Sequence, residues 1–373
     1  MGSEETRRMR AARAGHRLAI SLERRWDAVR LARRVDRRPE HFRIDSYAGH
    51  GNAHEVVLRG RVLDDPEPTE AVDGESAWAA FRRTVGRFLT DELPGVPLRV
   101  RVGPAEADVT SDSEGYFEAR LVTRDEPFVG PWATGEASLA APYRGLDSAE
   151  PTALRVRISD QGAAFGVISD IDDTILHTGA QRAVAMIRQT LVGSELTRLP
   201  FVGAAELYRA LAANPPGSQN PVFYVSSSPW NLHGFLHRFL AHRGFPLGPL
   251  LLRDLLGDQV DRSHGSHKSA RIDEVLDLHP GLSFVLIGDS GQHDPEIYAD
   301  AVRRHPGRVL AVYIREVRLD PGDRRVEAIT DTWAHDVPFV LVAGSDSLAR
   351  HAAGLGLLTA EEVDAVERAV ATQ

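Results

Sequence analysis

The chain of 373 residues contains no cysteine, a single lysine and no long uninterrupted hydrophobic run. Without cysteine it can form neither disulfide bonds nor thiolate metal sites, and nothing in it points to secretion. No apolar stretch reaches the roughly 18 residues that a transmembrane helix needs, and the N-terminus lacks the apolar segment of a signal peptide. We therefore expect a cytoplasmic protein, long enough for two domains.

The single lysine, Lys268, stands among 44 basic residues. The chain uses arginine for all its other positive charge, so a position that holds lysine is a candidate for a role that needs a compact ammonium group. The alternative interpretation is that one lysine is present by chance.

The formal net charge of −9 is distributed unevenly. Residues 1–38 hold 12 arginines and five acidic residues, whereas the remainder is strongly acidic, which argues against nucleic-acid binding. Apolar positions among the arginines predict a helix over residues 7–36, within a basic segment that we assign to residues 1–41. This helix either contacts an anionic membrane surface or packs on the rest of the protein, which is the commoner case. The sequence gives no indication of oligomeric state.

Residues 42–160 alternate between apolar and polar positions, and Pro, Gly and Asp clusters separate the alternating stretches. This pattern predicts an antiparallel, sandwich-like β-rich domain, with one helix over residues 75–90. We find no catalytic constellation in it and expect it to support the rest of the chain or to bind a partner. The predicted strands are VVLRGRVL (56–63), LRVRV (98–102), YFEARLV (116–122) and ALRVRI (153–158).

Residues 161–373 alternate between short apolar runs and amphipathic stretches. Strands that alternate with helices predict an α/β domain with a doubly wound, mostly parallel sheet. Such sheets bind their ligands beyond the carboxyl ends of the strands. The predicted strands are 165–170, 221–227, 282–289, 309–314 and 338–342, and the predicted helices are 204–213, 230–243, 269–279, 294–305 and 359–370.

Polar and acidic side chains follow several of these predicted strands. Because the carboxyl ends of parallel strands meet at one edge of a sheet, we expect these side chains to converge. Clustered acids repel one another and need a counter-charge, and hard oxygen ligands favour Mg²⁺. The set comprises Asp170 at the end of the first strand with Asp172 and Asp173 just after it, Ser226 at the end of the second, Lys268 just before a helix, and Asp289 at the end of the strand 282–289 with Asp294 five residues later.

Acids, a hard cation, one lysine and a hydroxyl group together suit phosphoryl transfer, which depends mainly on positioning and on neutralising charge. A carboxylate can act as the nucleophile through an aspartyl-phosphate. A second carboxylate two residues further on can act as general acid and base.

These motifs resemble the four motifs of the haloacid dehalogenase superfamily of phosphatases, in order and in placement on strands. Two stretches, YVSSSPWNL (224–232) and IGDSGQHDPEIY (287–298), further resemble phosphatidate phosphatases related to the fungal actin-patch enzyme, and their bacterial relatives. The resemblance covers roughly residues 165–320. It implies a haloacid dehalogenase-like fold and a magnesium-dependent phosphatase, with phosphatidate or a related lipid phosphate monoester as substrate.

The resemblance also implies a role for each matching residue. Asp170 would attack phosphorus and help to hold Mg²⁺, and Asp172, also assigned to the metal site, would act as general acid and base. Thr174 would support this loop, and Asp173 would bind metal through water or orient the loop. Ser226 would hydrogen-bond the transferring phosphoryl group and Lys268 would pair with it and with Asp170. Asp289 would bind the metal directly, and Asp294 would bind it directly or through water.

Other interpretations stay open. The same chemistry could serve a phosphoprotein, a nucleic-acid end or a small metabolite, and a non-enzymatic membrane- or partner-binding module is a further alternative. The spacing between motifs leaves only residues 176–200 for a small flap, which favours an open site and a phosphate presented on a large surface. Trp230 is either a core anchor, which we favour, or part of a substrate lip.

Overall fold

A computed structural model of the protein describes residues 38–65, 92–159, 162–171, 202–214, 218–253, 264–291, 293–316 and 325–372. Several sequence-based predictions fall outside these ranges. They concern the helices over residues 7–36 and 75–90, the small flap over 176–200, and the roles of Asp172, Asp173 and Thr174.

The first part of the described chain is a sheet of seven strands in the order β4-β3-β6-β7-β1-β2-β5. Its strands alternate as the sequence indicated: in β3, Leu98 and Val100 are buried whereas Arg99 and Arg101 between them are exposed. The strands are β1 (Arg43–Gly51), β2 (Glu55–Leu63), β3 (Pro97–Val102), β4 (Ala105–Thr110), β5 (Tyr116–Val122), β6 (Trp132–Leu139) and β7 (Thr152–Ile158).

This sheet differs from the antiparallel sandwich that the sequence predicted. Strands β1 and β7 pair in parallel, with Gly49 opposite Val156 and Gly51 opposite Ile158, and all the other neighbours are antiparallel. This one parallel pairing joins two antiparallel halves edge to edge, so that the strands form one sheet around one apolar core. The edge strands β4 and β5 contact each other.

The second part is a six-stranded sheet in the order β12-β11-β8-β13-β14-β15, and every pair of neighbouring strands is parallel. Its strands are β8 (Gly166–Asp170), β11 (Val222–Pro229), β12 (Leu250–Arg253), β13 (Phe284–Asp289), β14 (Val309–Arg315) and β15 (Phe339–Val342). A small two-stranded sheet, β9 (Ala213–Asn214) and β10 (Ser218–Gln219), lies between β8 and β11 in sequence.

Helices cover both faces of the parallel sheet. On β8, Val167 points into one apolar cluster and Ile168 into the other, as period-2 alternation requires. The first cluster also takes side chains from α1 (Ala204–Ala212), α2 (His233–His242), α6 (Ser345–Gly354) and α7 (Ala360–Ala371), and the second from α3 (His264–Leu278), α4 (Asp294–Arg304) and α5 (Arg325–Asp331).

The order of the strands indicates at which edge of the parallel sheet a ligand would bind. From β8 the chain moves outward to β11 and β12, and it then crosses to the other side of β8 to form β13, β14 and β15. The direction of winding therefore reverses beside β8. Open parallel sheets bind ligands at the carboxyl ends of the strands beside such a reversal, which here are β8, β11 and β13. Among the described helices, none is both long and apolar enough to cross a membrane.

Candidate active site

Asp170 is the last residue of β8, at the centre of the sheet, and its side chain is fully buried. The preceding residue fixes this strand end, because Ser169 Oγ donates a hydrogen bond to the carbonyl oxygen of Asp170 at 2.7 Å. The same hydroxyl lies 2.5 Å from the hydroxyl of Tyr208 on α1. The backbone at the end of β8 is thus linked to α1 through these two hydroxyl groups.

Lys268 reaches this carboxylate from α3. Its Nζ atom donates a hydrogen bond to Oδ1 of Asp170 at 2.7 Å and another to Oδ1 of Asp294. Burial alone would lower the pKa of Lys268, but the charges of the two carboxylates outweigh it and raise the pKa above the ordinary value. Lys268 is therefore a permanent cation between two acids.

The position of Lys268 corrects one prediction. The sequence placed it just before a helix that begins at residue 269, whereas α3 begins at His264 and contains Lys268. The first turn of α3 has no apolar residue, so the hydrophobic periodicity used to locate the helix begins only after it.

Asp289 and Asp294 come from the next strand and the helix after it. Asp289 ends β13, and Asp294 is the first residue of α4. The backbone N–H of Asp289 donates to Oδ2 of Asp294 at 3.2 Å, and the N–H of Gly291 donates to Oδ1 of Asp289 at 2.6 Å. The close approach of the Asp294 carboxylate to the end of β13 requires glycine at position 288, since a Cβ atom there would lie 2.5 Å from Oδ2 of Asp294.

The three carboxylates form a compact acidic cluster. One oxygen from each of Asp170, Asp289 and Asp294 lies within 4.8 Å of the others, and all three side chains are buried. Lys268 places a single ammonium group against this buried set of three acids. The hard oxygen donors and the concentration of buried negative charge both fit a divalent cation such as Mg²⁺.

Ser226 lies at the same edge of the sheet on the neighbouring strand. In the register of β11 and β8, Val225 is opposite Asp170, so Ser226 is one residue further towards the site. Its side chain is buried, and its Oγ atom accepts a hydrogen bond from the N–H of Ser228 at 2.9 Å. The hydroxyl is therefore held by the backbone that follows it. Asp172, Asp173 and Thr174 lie outside the described residues.

Two residues near the site were missed by the sequence analysis. Arg315, opposite Asp289 in the pairing of β13 with β14, is partly buried. Burial lowers its pKa to about 9, against the opposing influence of Tyr208 and of the Asp289 carboxylate. The rule that located the acids, a polar residue where an apolar strand ends, would have found Arg315. Tyr208 gives no such signal because it lies within the apolar pattern of α1.

Trp230, which follows β11, is a core anchor as the sequence analysis favoured. Its side chain is buried, and its ring stacks on Tyr47 of β1 with 4.4 Å between centroids and 9° between planes. A residue so covered cannot form the lip of a substrate site. The stack also joins the first sheet to the segment that follows Ser226.

Comparison with protein families gives a match over residues 165–316 to the family described as "Phosphatidate phosphatase APP1, catalytic domain". The matched range contains the three clustered carboxylates, Lys268 and Ser226.

Two curated proteins are similar over a longer part of the chain. A Saccharomyces cerevisiae protein named phosphatidate phosphatase APP1 is 28% identical over 287 residues, which cover 74% of this chain and 47% of that protein. An uncharacterised protein of Schizosaccharomyces pombe is 26% identical over 225 residues, which cover 58% of this chain and 35% of that protein. The match thus spans about half of the first relative and about a third of the second.

Similarity to solved structures is weak. A carbohydrate acetylesterase from Xanthomonas citri covers 73% of this chain at 9% identity, with a TM-score of 0.28, too low to indicate a shared fold.

Proposed function

We propose, from the match of residues 165–316 to the family described as "Phosphatidate phosphatase APP1, catalytic domain", that this protein is a phosphoric monoester hydrolase. It would release inorganic phosphate from phosphatidate or a related lipid phosphate monoester. The observation that carries the proposal is the buried group in which Lys268 contacts Asp170 and Asp294 beside Asp289. Burial of charged groups is costly, and a buried cluster of ionisable side chains at the carboxyl end of a parallel sheet is typical of an active site.

The fold we propose for residues 161–373 is haloacid dehalogenase-like and doubly wound. The parallel sheet with helices on both faces and an acidic residue at the end of its central strand supports it.

Mg²⁺ is the cofactor that we propose, held by Asp170, Asp289 and Asp294, with Asp172 nearby in sequence. When bound, the cation would neutralise charge on the carboxylates and on the phosphoryl oxygens. The buried carboxylates provide hard oxygen donors for it.

In the reaction that we propose, a carboxylate oxygen of Asp170 attacks phosphorus as the phosphorus–oxygen bond to the lipid alcohol breaks. Asp172 gives its proton to the departing alkoxide. Asp172 then takes a proton from water, which attacks the same phosphorus and breaks its bond to Asp170, releasing phosphate. Lys268 orients Asp170 and stabilises the charge on the transferring group, and Ser226 donates a hydrogen bond to it.

The test is release of inorganic phosphate from phosphatidate in mixed micelles, with Mg²⁺ and with a chelator. The variants are Asp170→Asn and the matched control Asp300→Asn, which alters an exposed acid on α4 that pairs with Arg304. We expect release by the wild type and by the control, and none by Asp170→Asn or with chelator.

The same assay separates the alternatives. Release that depends on Asp170 but occurs only from soluble esters would keep the mechanism and replace the lipid substrate. If the wild type releases no phosphate from lipid, phosphopeptide, nucleic-acid or metabolite substrates, a binding module is favoured instead.

We also propose a cytoplasmic location and, as the less common of the two roles open to residues 7–36, reversible contact of this segment with a membrane. Twelve arginines in residues 1–38 support contact with an anionic surface. Co-sedimentation with phosphatidate-containing vesicles should occur at low salt and decrease as salt rises. Equal recovery with neutral vesicles would exclude this contact.

A further inference from the structure

A group of charged side chains joins the first sheet to helix α3. Glu274 on α3 accepts two hydrogen bonds from Arg59 on β2, from Nη1 to Oε1 and from Nη2 to Oε2, each 2.8 Å long. The Nε2 atom of His50 on β1 lies 3.1 Å from the same Oε1 atom. These contacts join residues more than two hundred positions apart in sequence.

The ion pair is largely withdrawn from water. The side chains of Arg59 and Glu274 are only 12% and 14% exposed. Burial alone would raise the pKa of Glu274, but hydrogen bonds from His50 and Arg59 lower it well below its ordinary value. Arg271, one turn earlier on α3, also donates a 2.7 Å hydrogen bond from Nη1 to Oε2 of Glu274. The carboxylate therefore stays charged between the first sheet and its own helix. A two-pronged contact between a guanidinium and a carboxylate also fixes geometry, because both hydrogen bonds must align at once.

Two more hydrogen bonds fasten the same end of α3. Nδ2 of Asn52, just after β1, donates to the carbonyl oxygen of Leu278 at 2.6 Å. Oγ of Ser159, just after β7, lies 2.8 Å from Nδ1 of His279. The C-terminal half of α3 is thus held by the first sheet, whereas the N-terminal half presents Lys268 to the active site.

Glu274 and Lys268 lie close together along α3. Glu274 follows Lys268 by six residues, or about 9 Å along the axis of a helix. A helix moves as a rigid body over such a length, so a displacement at Glu274 is transmitted to Lys268. Errors of about 1 Å in the placement of a reacting group can reduce a rate a hundredfold.

We propose that Glu274 is a positioning residue that, through Arg59 and His50, sets where Lys268 lies between Asp170 and Asp294. The first sheet is then a working part of the catalytic unit rather than a separate binding module. The stack of Tyr47 on Trp230 supports this independently, since it ties the same sheet to the segment after Ser226. This inference rests on the proposed phosphatase function for its kinetic consequences, but its structural part does not.

The test compares Glu274→Gln with the matched control Glu118→Gln. Glu118 on β5 accepts a 2.8 Å hydrogen bond from Nε of the same Arg59 but does not belong to α3. Both variants replace one carboxylate partner of Arg59 by an amide of equal size, but only Glu274→Gln alters the link to α3. Because Glu274 also contacts Arg271 on α3, Arg59→Lys is measured beside it, since that variant leaves the contact with Arg271 in place.

Two readouts are used. The first is kcat and KM for phosphatidate. The second is the ¹⁵N NMR signal of Lys268 in protein labelled only at lysine. Since the chain has one lysine, this labelling gives one side-chain and one backbone signal, both from the active site.

We expect Glu274→Gln to lower kcat at least about tenfold, with KM changed less than about threefold, and to shift the Lys268 signals. Glu118→Gln should change neither the kinetic constants nor the Lys268 signals. The double variant with Arg59→Met should lose no more activity than Glu274→Gln alone, because the pair acts as a unit. If Glu274→Gln does not fold, Arg59→Lys tests the same contact. This variant keeps the positive charge but cannot make two parallel hydrogen bonds to the carboxylate.

Unchanged Lys268 signals in Glu274→Gln would overturn the proposal, even if the variant melted at a lower temperature. If wild-type protein releases no phosphate from any substrate, the proposed function fails, and the NMR comparison still decides whether Glu274 positions Lys268.

Discussion

The Nζ atom of Lys268 lies 2.7 Å from Oδ1 of Asp170, and both side chains are buried. The one lysine of the chain thus meets the acid that ends the central strand of the parallel sheet. An ammonium group can contact Asp170 and Asp294 at the same time because its three donors point in different directions. This contact brings α3, β8 and α4 together at one point.

Replacement of Lys268 by arginine should therefore lower kcat, although the charge is kept. The planar guanidinium is larger, and its donors cannot reproduce two contacts made from a single nitrogen atom. We expect a decrease of at least about a hundredfold, the typical loss when one donor to the developing charge is removed.

Steady-state kinetics with phosphatidate measures this loss. Arg350→Lys, at an exposed position on α6 that pairs with Asp346 and Glu367, is the control and should retain activity. Activity of Lys268→Arg within about threefold of wild type would contradict the importance of the compact ammonium group.

Replacement of Gly288 by alanine should displace Asp294. The new Cβ atom would lie 2.5 Å from Oδ2 of Asp294 and 2.7 Å from the ring of Tyr298, so the carboxylate must move. Overpacking of this kind costs about 1–3 kcal/mol of unfolding free energy. Urea denaturation measures the loss, and phosphate release should fall with it. Gly281→Ala, where nothing lies within 4 Å of the added atom, should change neither quantity.

Mg²⁺ should raise the melting temperature of the wild type, because a ligand that binds only the folded state stabilises it. The gain is about 2.7 kcal/mol at a hundredfold excess over the dissociation constant. Asp289→Asn should not show this increase. In chelator it should melt no lower than the wild type, since one of three mutually repelling buried carboxylates is removed.

Differential scanning fluorimetry with and without Mg²⁺ tests both parts. Asp300→Asn on the exposed face of α4 should respond to Mg²⁺ as the wild type does. An equal rise for Asp289→Asn would show that the cation binds elsewhere.

Acid should destabilise the protein through His233, whose ring lies 4.5 Å from that of Tyr47. Burial, with a smaller influence from His237, lowers the pKa of His233 to about 3. The unfolded chain binds this proton near pH 6.5 and the folded protein does not, so stability falls as the pH drops from about 6.5 towards 3. The slope from this group approaches about 1.4 kcal/mol per pH unit.

Denaturation curves between pH 7 and pH 4 measure this slope. His233→Gln should be less stable at pH 7 but should show a shallower decline, because the titrating group is gone. The control His54→Gln, at an exposed position, should retain the wild-type slope. An identical slope for His233→Gln and wild type would exclude this histidine as the source.

The parallel α/β architecture and the acidic cluster could both be predicted from the amino-acid sequence. Apolar strands that end in acids are local patterns, and parallel strands of necessity bring their carboxyl ends to one edge. For this reason the amino-acid sequence alone is enough to group Asp170, Asp289 and Asp294. Two strands with weaker patterns were not predicted: β12 has only four residues, and β1 contains charged and small residues throughout.

The contacts between the two sheets could not be predicted in this way, because they depend on segments that are distant in sequence. The parallel pairing of β1 with β7 depends on strands about a hundred residues apart, which turned the expected sandwich into one sheet. The contact of Arg59 with Glu274 spans 215 positions, and that of Tyr47 with Trp230 depends equally on docking. Residue type and spacing carry no signal for such contacts, because the approach of distant segments is set by the packing of whole elements rather than by local periodicity.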